Sequence, residues 1–214
     1  MALAFAIYQS GGALWRLRWP SQIVCFDTPD TLFLCTAFWQ KLEVACVQGA
    51  LALFLHDGAH ALVARAHGIE LFVVPARGWR AWAILAAAAG VYIVGPTLQW
   101  HAPAARRELN PAIALAGIGA SLAAAAFWFA ILSDIIVFTV AVPPWFPYFG
   151  YAGFRINALL GLSGLLPLAG FDGEHLIRAR PYLYGLLAGA ALILVFALGN
   201  EHVLQWLLQA INAL

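Results

Sequence analysis

Long runs without charge set the pattern of this chain. From Val44 to Ala64 the only charged residue is Asp57, and from Pro111 to Ser133 there is none, with Asp134 alone interrupting a continuation to Val142. Ile156 to Phe171 is uncharged but short, ending at Asp172, and Pro181 to Asn200 is uncharged again. A helix that crosses a bilayer needs about 20 mainly apolar residues, so the pattern predicts four spans that meet or approach that length. Pro181 suits the first turn of a helix, and Trp206 suits the far membrane interface. A fifth stretch, Ala81 to Val94, is too short to span comfortably. Its Ala-rich half reads as helix, whereas VYIV before Gly95-Pro96 reads as a strand or a break. We read it as a re-entrant or edge-strand hairpin, a backbone that survives at membrane depth only where protein or water covers it.

Residues 1–43 are less regular. Gln22–Phe26 and Thr31–Leu34 read as short strands around the turn-like Asp27–Asp30, while Thr31–Leu55 also reads as an extra span with Lys41 and Glu43 in its middle. The arginines of the N-terminus follow its apolar stretch, unlike those of a signal peptide. The division expected is an interfacial segment or extra span over 1–43 and one transmembrane domain over 44–214.

Composition then fixes the solvent. Of 214 residues, 64% are hydrophobic and 10% charged, against about 45–50% and about 25% in soluble domains. A chain this short cannot hide so much apolar surface from water, so the sequence reads as an all-α polytopic membrane protein with three to four core helices, short edge strands or a hairpin, and the lipid bilayer as a partner. A formal net charge of +1 gives no reason to expect nucleic acid as one. Cys25, Cys35 and Cys46 contain no C-x-x-C pair; a Cys25–Cys35 disulfide and apolar filler are both open readings. Arg65, Arg77, Arg80, Arg106 and Arg107 cluster between the first two spans, and Arg178 and Arg180 between the last two, whereas Pro143–Phe154, read as the loop between the second and third spans, is rich in Pro, Trp, Phe and Tyr and has no Lys or Arg. By the positive-inside rule the 65–107 region is cytoplasmic in a multi-pass protein of the cell membrane. Arg16, Arg18 and Lys41 then fall on the wrong side.

Ionisable residues inside a span cost roughly 2.5–3.5 kcal/mol each on insertion scales, so each needs a reason. His56 and His60 are spaced i, i+4, which puts both imidazoles on one helix face about 5–6 Å apart and suits one tetrahedral zinc ion. Asp57 lies about 100° round the helix from His56. From there a carboxylate can approach water at the metal without ligating the metal. His67 lies about 10 Å further along the axis than His60 and fits better as a C-terminal charge beside Gly68. Asp172, in a stretch broken by Pro167, Gly170 and Gly173, is the better third ligand, with helix capping as its other reading. Glu174 and His175 read either as supports of that ligand or as a polar helix start, and His101 and His202 as surface residues. Asp134 reads as interfacial or as a partner of Arg155.

H-D-G-A-H-A-L-V-A-R at 56–65 with H-G-I-E at 67–70 resembles the H-E-x-G-H-A-L-V-A-R pattern of the site-2 protease family of intramembrane zinc metalloproteases. Residues 105–122, ARRELNPAIALAGIGASL, resemble that family's second core helix, and LPLAGFDG at 166–173 its third-ligand loop, L-P-x-x-P-L-D-G. The resemblance implies one zinc ion on His56, His60 and Asp172, an acid/base role for Asp57, and a transmembrane protein as substrate. Three departures accompany it. Asp57 stands where the family has Glu, one methylene shorter; residues 116–121 lack the proline and asparagine of an A-G-P-x-x-N turn; and Gly164 stands where the family has an asparagine that positions substrate. Asn157, one helical heptad earlier, is a candidate substrate-binding substitute, with interhelical hydrogen bonding as its other reading. Ile69–Val74 and Val91–Val94 are candidate edges for holding an unwound substrate by strand addition. Three functions are therefore open: an intramembrane endopeptidase, a pseudoprotease that binds membrane helices without cutting them, and an ion-handling membrane protein.

Overall fold

The computed structural model describes residues 3, 6, 38–73, 79–88, 92–94, 98–100, 108–137, 143, 145–168 and 170–197. Among these, the elements run α1 (Phe38–Ala66), β1 (Leu71–Val73), α2 (Trp79–Ala88), β2 (Leu98–Trp100), α3 (Asn110–Val137), α4 (Phe146–Gly164), α5 (Asp172–Ala179) and α6 (Pro181–Leu192), which continues as a π-turn over Ile193–Ala197. The chain is mostly helical, as the apolar runs require. Two stretches, Leu42–Ala66 and Asn110–Leu132, are long and apolar enough to cross a membrane. The readings of Cys25, Cys35, the strands before residue 37, Val91, Gly95-Pro96, His101, His202 and Trp206 lie outside the described residues. So does the Asp134 side chain.

Three helices make the core, and small residues set their spacing. Antiparallel α3 and α4 are in register along their length. A Cβ on Gly150 would lie 3.1 Å from Leu132 Cδ2, one on Gly153 2.7 Å from Trp128 Nε1, and one on Gly161 2.8 Å from Leu122 Cδ2. Helix α1 lies across both, with Gln48 beside Gly153, His56 beside Ser121 and His60 beside Gly117. Close approach through glycine is the usual way for helices to pack where the hydrophobic effect gives no drive between them.

The faces of α1 are inverted relative to a water-soluble helix. Its inward stripe carries Gln48, His56 and His60 at 0%, 7% and 2% exposure, together with Ala45, Ala52 and Ala64, whereas Phe54 and Leu62 point outward at 76% and 74%. Val47, Leu51 and Leu55 are exposed too, as are Tyr182, Leu186, Ile193 and Phe196 on the last helix. Cys46 is a free thiol on the same outer side.

Two expectations change. The aromatic stretch Pro143–Phe154 is not a loop beyond its first residues, because α4 begins at Phe146. Proline early in that helix costs no hydrogen bond, and Phe149 then stacks edge-on against Trp128 at 5.7 Å. The third apolar run breaks before Asp172, as Pro167, Gly170 and Gly173 lead one to expect. It stops at Gly164, turns through Gly170 at φ 87°, and restarts with Asp172 as the first residue of α5. The hairpin is assembled differently as well: β1 pairs antiparallel with β2, Leu71 opposite Trp100 and Val73 opposite Leu98, with α2 between them. Tyr92–Val94 is not a strand. It is tied to α4 instead, by the Val94 N–H donating to Ser163 Oγ at 3.2 Å.

Helix α1 ends where expected. Gly68 turns the chain at φ 65°, and the N–H of Ile69 returns to the carbonyl of Ala64 at 2.9 Å, the left-handed exit that glycine permits. His67 sits in that turn, exposed.

The turn before α5 depends on Gly173, whose Cβ position lies 2.3 Å from the carbonyl oxygen of Leu165 and 2.8 Å from that of Leu166. Backbone cannot yield as a flexible side chain does. Gly173→Ala is expected to cost about 1–3 kcal/mol, the scale of overpacking, and to lower the thermal midpoint of the purified protein; an unchanged midpoint would mean that the turn has room to spare.

Candidate metal centre

Three buried ligand atoms converge on one point from two separate pieces of chain. Helix α1 supplies His56 and His60, one turn apart, and the first residue of α5 supplies Asp172. The Nε2 atoms of the two histidines are 3.1 Å apart. Asp172 Oδ2 is 3.4 Å from Nε2 of His56 and 3.2 Å from Nε2 of His60. All three residues are buried, and among the described residues they form the group able to hold a metal ion.

Hydrogen bonds on the far side of each ring decide what this triangle presents. His60 Nδ1 is 2.7 Å from the main-chain oxygen of Ile113. A carbonyl only accepts, so Nδ1 carries the proton and, in the neutral ring, Nε2 presents a lone pair. His56 Nδ1 is 2.9 Å from Ser121 Oγ, which can accept in the same way. Two imidazole lone pairs and a carboxylate oxygen then face one another at contact distance in an apolar bundle, an arrangement that repels itself unless a cation stands between them. A proton shared with one histidine would relieve part of this. A metal relieves all of it, and the size of the triangle fits one: tetrahedral zinc with bonds of about 2.0–2.1 Å has ligand-to-ligand edges of about 3.3–3.4 Å. Donation of the outer imidazole N–H to a carbonyl is also the usual support of a ligating histidine.

Glycines on two helices make room. A Cβ on Gly117 would lie 2.2 Å from His60 Nε2 and 2.4 Å from its Cε1, so no other residue fits there with the ring in place. Gly164 faces the triangle from α4, its Cβ position 3.4 Å from Asp172 Oδ2 and 3.7 Å from His56 Cε1.

The remaining candidates are placed as follows. Asp57 is half-buried on the neighbouring face of α1, beside Gly58, whose Cβ position meets nothing within 4 Å. Asn157 is fully buried, but its amide turns back along α4 to donate to the carbonyl of Gly153 at 2.8 Å. It lies seven residues, about 10 Å of helix axis, before Gly164, so it is not brought to the triangle. Glu174 holds the loop rather than a ligand: it accepts the Gly170 N–H at 3.1 Å and pairs with Arg178 at 2.9 Å. His175 follows it, half-buried, and burial holds its imidazole below the ordinary histidine range.

Ser121, Gly117 and the Ile113 carbonyl are site components that sequence reading missed. A signal was present, since 113, 117 and 121 repeat every four residues in an uncharged helix, the period of a single face.

Loss of the Ser121 hydroxyl is expected to weaken zinc binding about 10–100-fold, as for other outer supports of metal-binding histidines; Gly117→Ala, which displaces Nε2 itself, is expected to do at least as much. Competition titration with a chromogenic chelator reads both, and wild-type affinity in Gly117→Ala would remove His60 from the metal. No family model, curated protein or solved structure matches the chain, so the geometry of this site is what bears on its function.

Proposed function

We propose that the chain is an intramembrane zinc endopeptidase of site-2 protease type, embedded in a lipid bilayer as a multi-pass protein. The observation that carries this reading is a buried His–His–Asp triangle of metal-binding size, two of its ligands on a helix, α1, whose inward stripe carries polar residues and whose outward face is apolar. Inverted faces are what a helix needs when lipid is the solvent and an ionic site is enclosed. Four spans remain the proposal for the whole chain, with α1 and α3 the two that meet the length and hydropathy of a span. The side bearing residues 65–107 is proposed as cytoplasmic, on its arginines.

His56, His60 and Asp172 would hold the zinc ion, which would supply Lewis acidity toward a peptide carbonyl and toward water. The chain's own residues do the rest. Asp57 takes the proton from the attacking water and passes it to the leaving amine, a role for a carboxylate beside the metal rather than on it. Ser121 and the Ile113 carbonyl keep both imidazoles in the tautomer that faces inward.

A transmembrane substrate has its carbonyls in helical hydrogen bonds and must unwind before it is cut. The geometry suits this. A groove of about 670 Å³ lies between Ala61 and Arg65 of α1 and the stretch Ile69–Leu71 that leads into β1. Among the described residues β1 pairs on one side only, with β2, so its other edge can accept an unwound strand. Substrates with Gly or Pro near the cut are expected to be processed faster, by about tenfold for each 1.4 kcal/mol that unwinding is eased. Equal processing of peptides with and without them would count against strand capture.

A second reading rests on Gly164. Position 164 faces the triangle yet offers no donor there, which favours a fold that binds membrane helices without cutting them. Cleavage of a model transmembrane substrate separates the two. The endopeptidase reading predicts cleavage by the wild type, a loss of at least about 10²-fold on His60→Ala, and activity kept or raised in Asp57→Glu, since a 1 Å change in a catalytic group's reach is worth about that factor. An inert wild type that gains activity with Asp57→Glu would establish the second reading instead.

A further inference from the structure

Two side-chain amides lie buried in the α1–α3–α4 core, away from the metal triangle, and each leaves its oxygen unsatisfied. Gln48 is 0% and Asn157 1% exposed. Gln48 Nε2 donates to the carbonyl of Phe149 at 3.1 Å and Asn157 Nδ2 to that of Gly153 at 2.8 Å. Because a carbonyl accepts only from the nitrogen end, neither amide can be flipped. Gln48 Oε1 and Asn157 Oδ1 are therefore acceptors, fully buried, with no hydrogen-bond partner among the described residues.

The two amides flank one residue. The Gly153 Cβ position is 2.9 Å from Gln48 Nε2, and the Gly153 carbonyl receives Asn157. Gly153 and Asn157 share one face of α4, a single turn apart. Leaving two oxygens dry here would cost both of their desolvation penalties. Among the described residues no cationic side chain is paired with either. The complementary ligand for two neighbouring neutral acceptors is a donor of two hydrogen bonds, which is water.

We propose that a water molecule is bound between Gln48 Oε1 and Asn157 Oδ1, donating one hydrogen bond to each. Gln48, His56 and His60 lie on one stripe of α1, eight and four residues apart, with Ala52 between the first two. Asn157 is one turn before Gly161, whose Cβ position lies 3.6 Å from Cβ of Ser121, the partner of His56. The water site stands independently of the endopeptidase reading.

Radiolytic hydroxyl labelling in ¹⁸O water, on the full chain in lipid nanodiscs, tests the water directly. Trp128, beside Gly153, is expected to take up label in the wild type and to lose most of it in Gln48→Leu/Asn157→Leu. Absence of label in the wild type, or equal yield in the two proteins, would overturn the proposal. Thermal melting of the two single variants and the double variant gives a second readout. A shared water predicts that each single variant melts below wild type and that the double variant melts no lower than the worse single. Single variants at or above the wild-type midpoint, or losses that add, would mean two dry amides. Should the variants not fold, the wild-type label at Trp128 decides. None of these readouts requires cleavage, so an inert enzyme with a labelled Trp128 would remove the endopeptidase reading and keep the water site.

Discussion

Among the described helices one constraint organises the rest: three buried ligand atoms meet at a point and repel one another unless a proton or a metal ion lies between them. The Nε2 atoms of His56 and His60 and Oδ2 of Asp172 stand 3.1–3.4 Å apart among apolar helices. In such a medium neither a lone carboxylate nor opposed lone pairs are tolerated. The rest of the core holds this cluster. Gly117 lets the His60 ring lie against α3, Gly164 leaves the α4 side open, and Gly173 lets the chain fold back over Leu165 so that Asp172 arrives at the start of α5. At Gly117 and Gly173 a methyl group would occupy space that the site or its supporting turn already uses, whereas one at Gly164 would stand in ordinary contact with Asp172.

The inversion of α1 follows from the same constraint. In the proposed membrane placement an ionic cluster must be walled off from lipid by protein, which matches a helix that turns its histidines inward and its large apolar residues outward. The inward stripe then has to be narrow, which is why alanine and glycine rather than leucine separate its polar residues. Hydrogen bonds from imidazoles to a serine and to a main-chain carbonyl satisfy the far side of each ring, completing a site with little slack.

Much of this was legible in the sequence, and the reasons are specific. Apolar runs located α1 and α3 because a nearly uncharged stretch of span length can satisfy its backbone in lipid only as a helix. His56 and His60 were readable from their spacing, and Asp172 from a carboxylate stranded among helix breakers. Helix α4 was misjudged because Pro143–Phe154 combines proline with aromatic residues, a composition that reads as loop, whereas those rings pack on Trp128 only once two helices are side by side. The partners of the histidines were not legible either. A serine and a main-chain carbonyl on α3 acquire meaning only from the register between two helices more than fifty residues apart in sequence. Asn157 was singled out as a substitute, one heptad earlier, for the asparagine missing at position 164, but its amide bonds within α4 in the middle of the core and not at the triangle.

The central claim is the metal, and zinc-edge X-ray absorption on the purified full chain, after dialysis against weak chelator, tests it most directly. One zinc ion per chain is expected, with nitrogen and oxygen ligands only, at about 2.0–2.1 Å, and its loss is expected in His60→Ala. A wild-type chain that retains no zinc, a sulfur atom among the ligands, or zinc retained unchanged in His60→Ala would contradict the assignment.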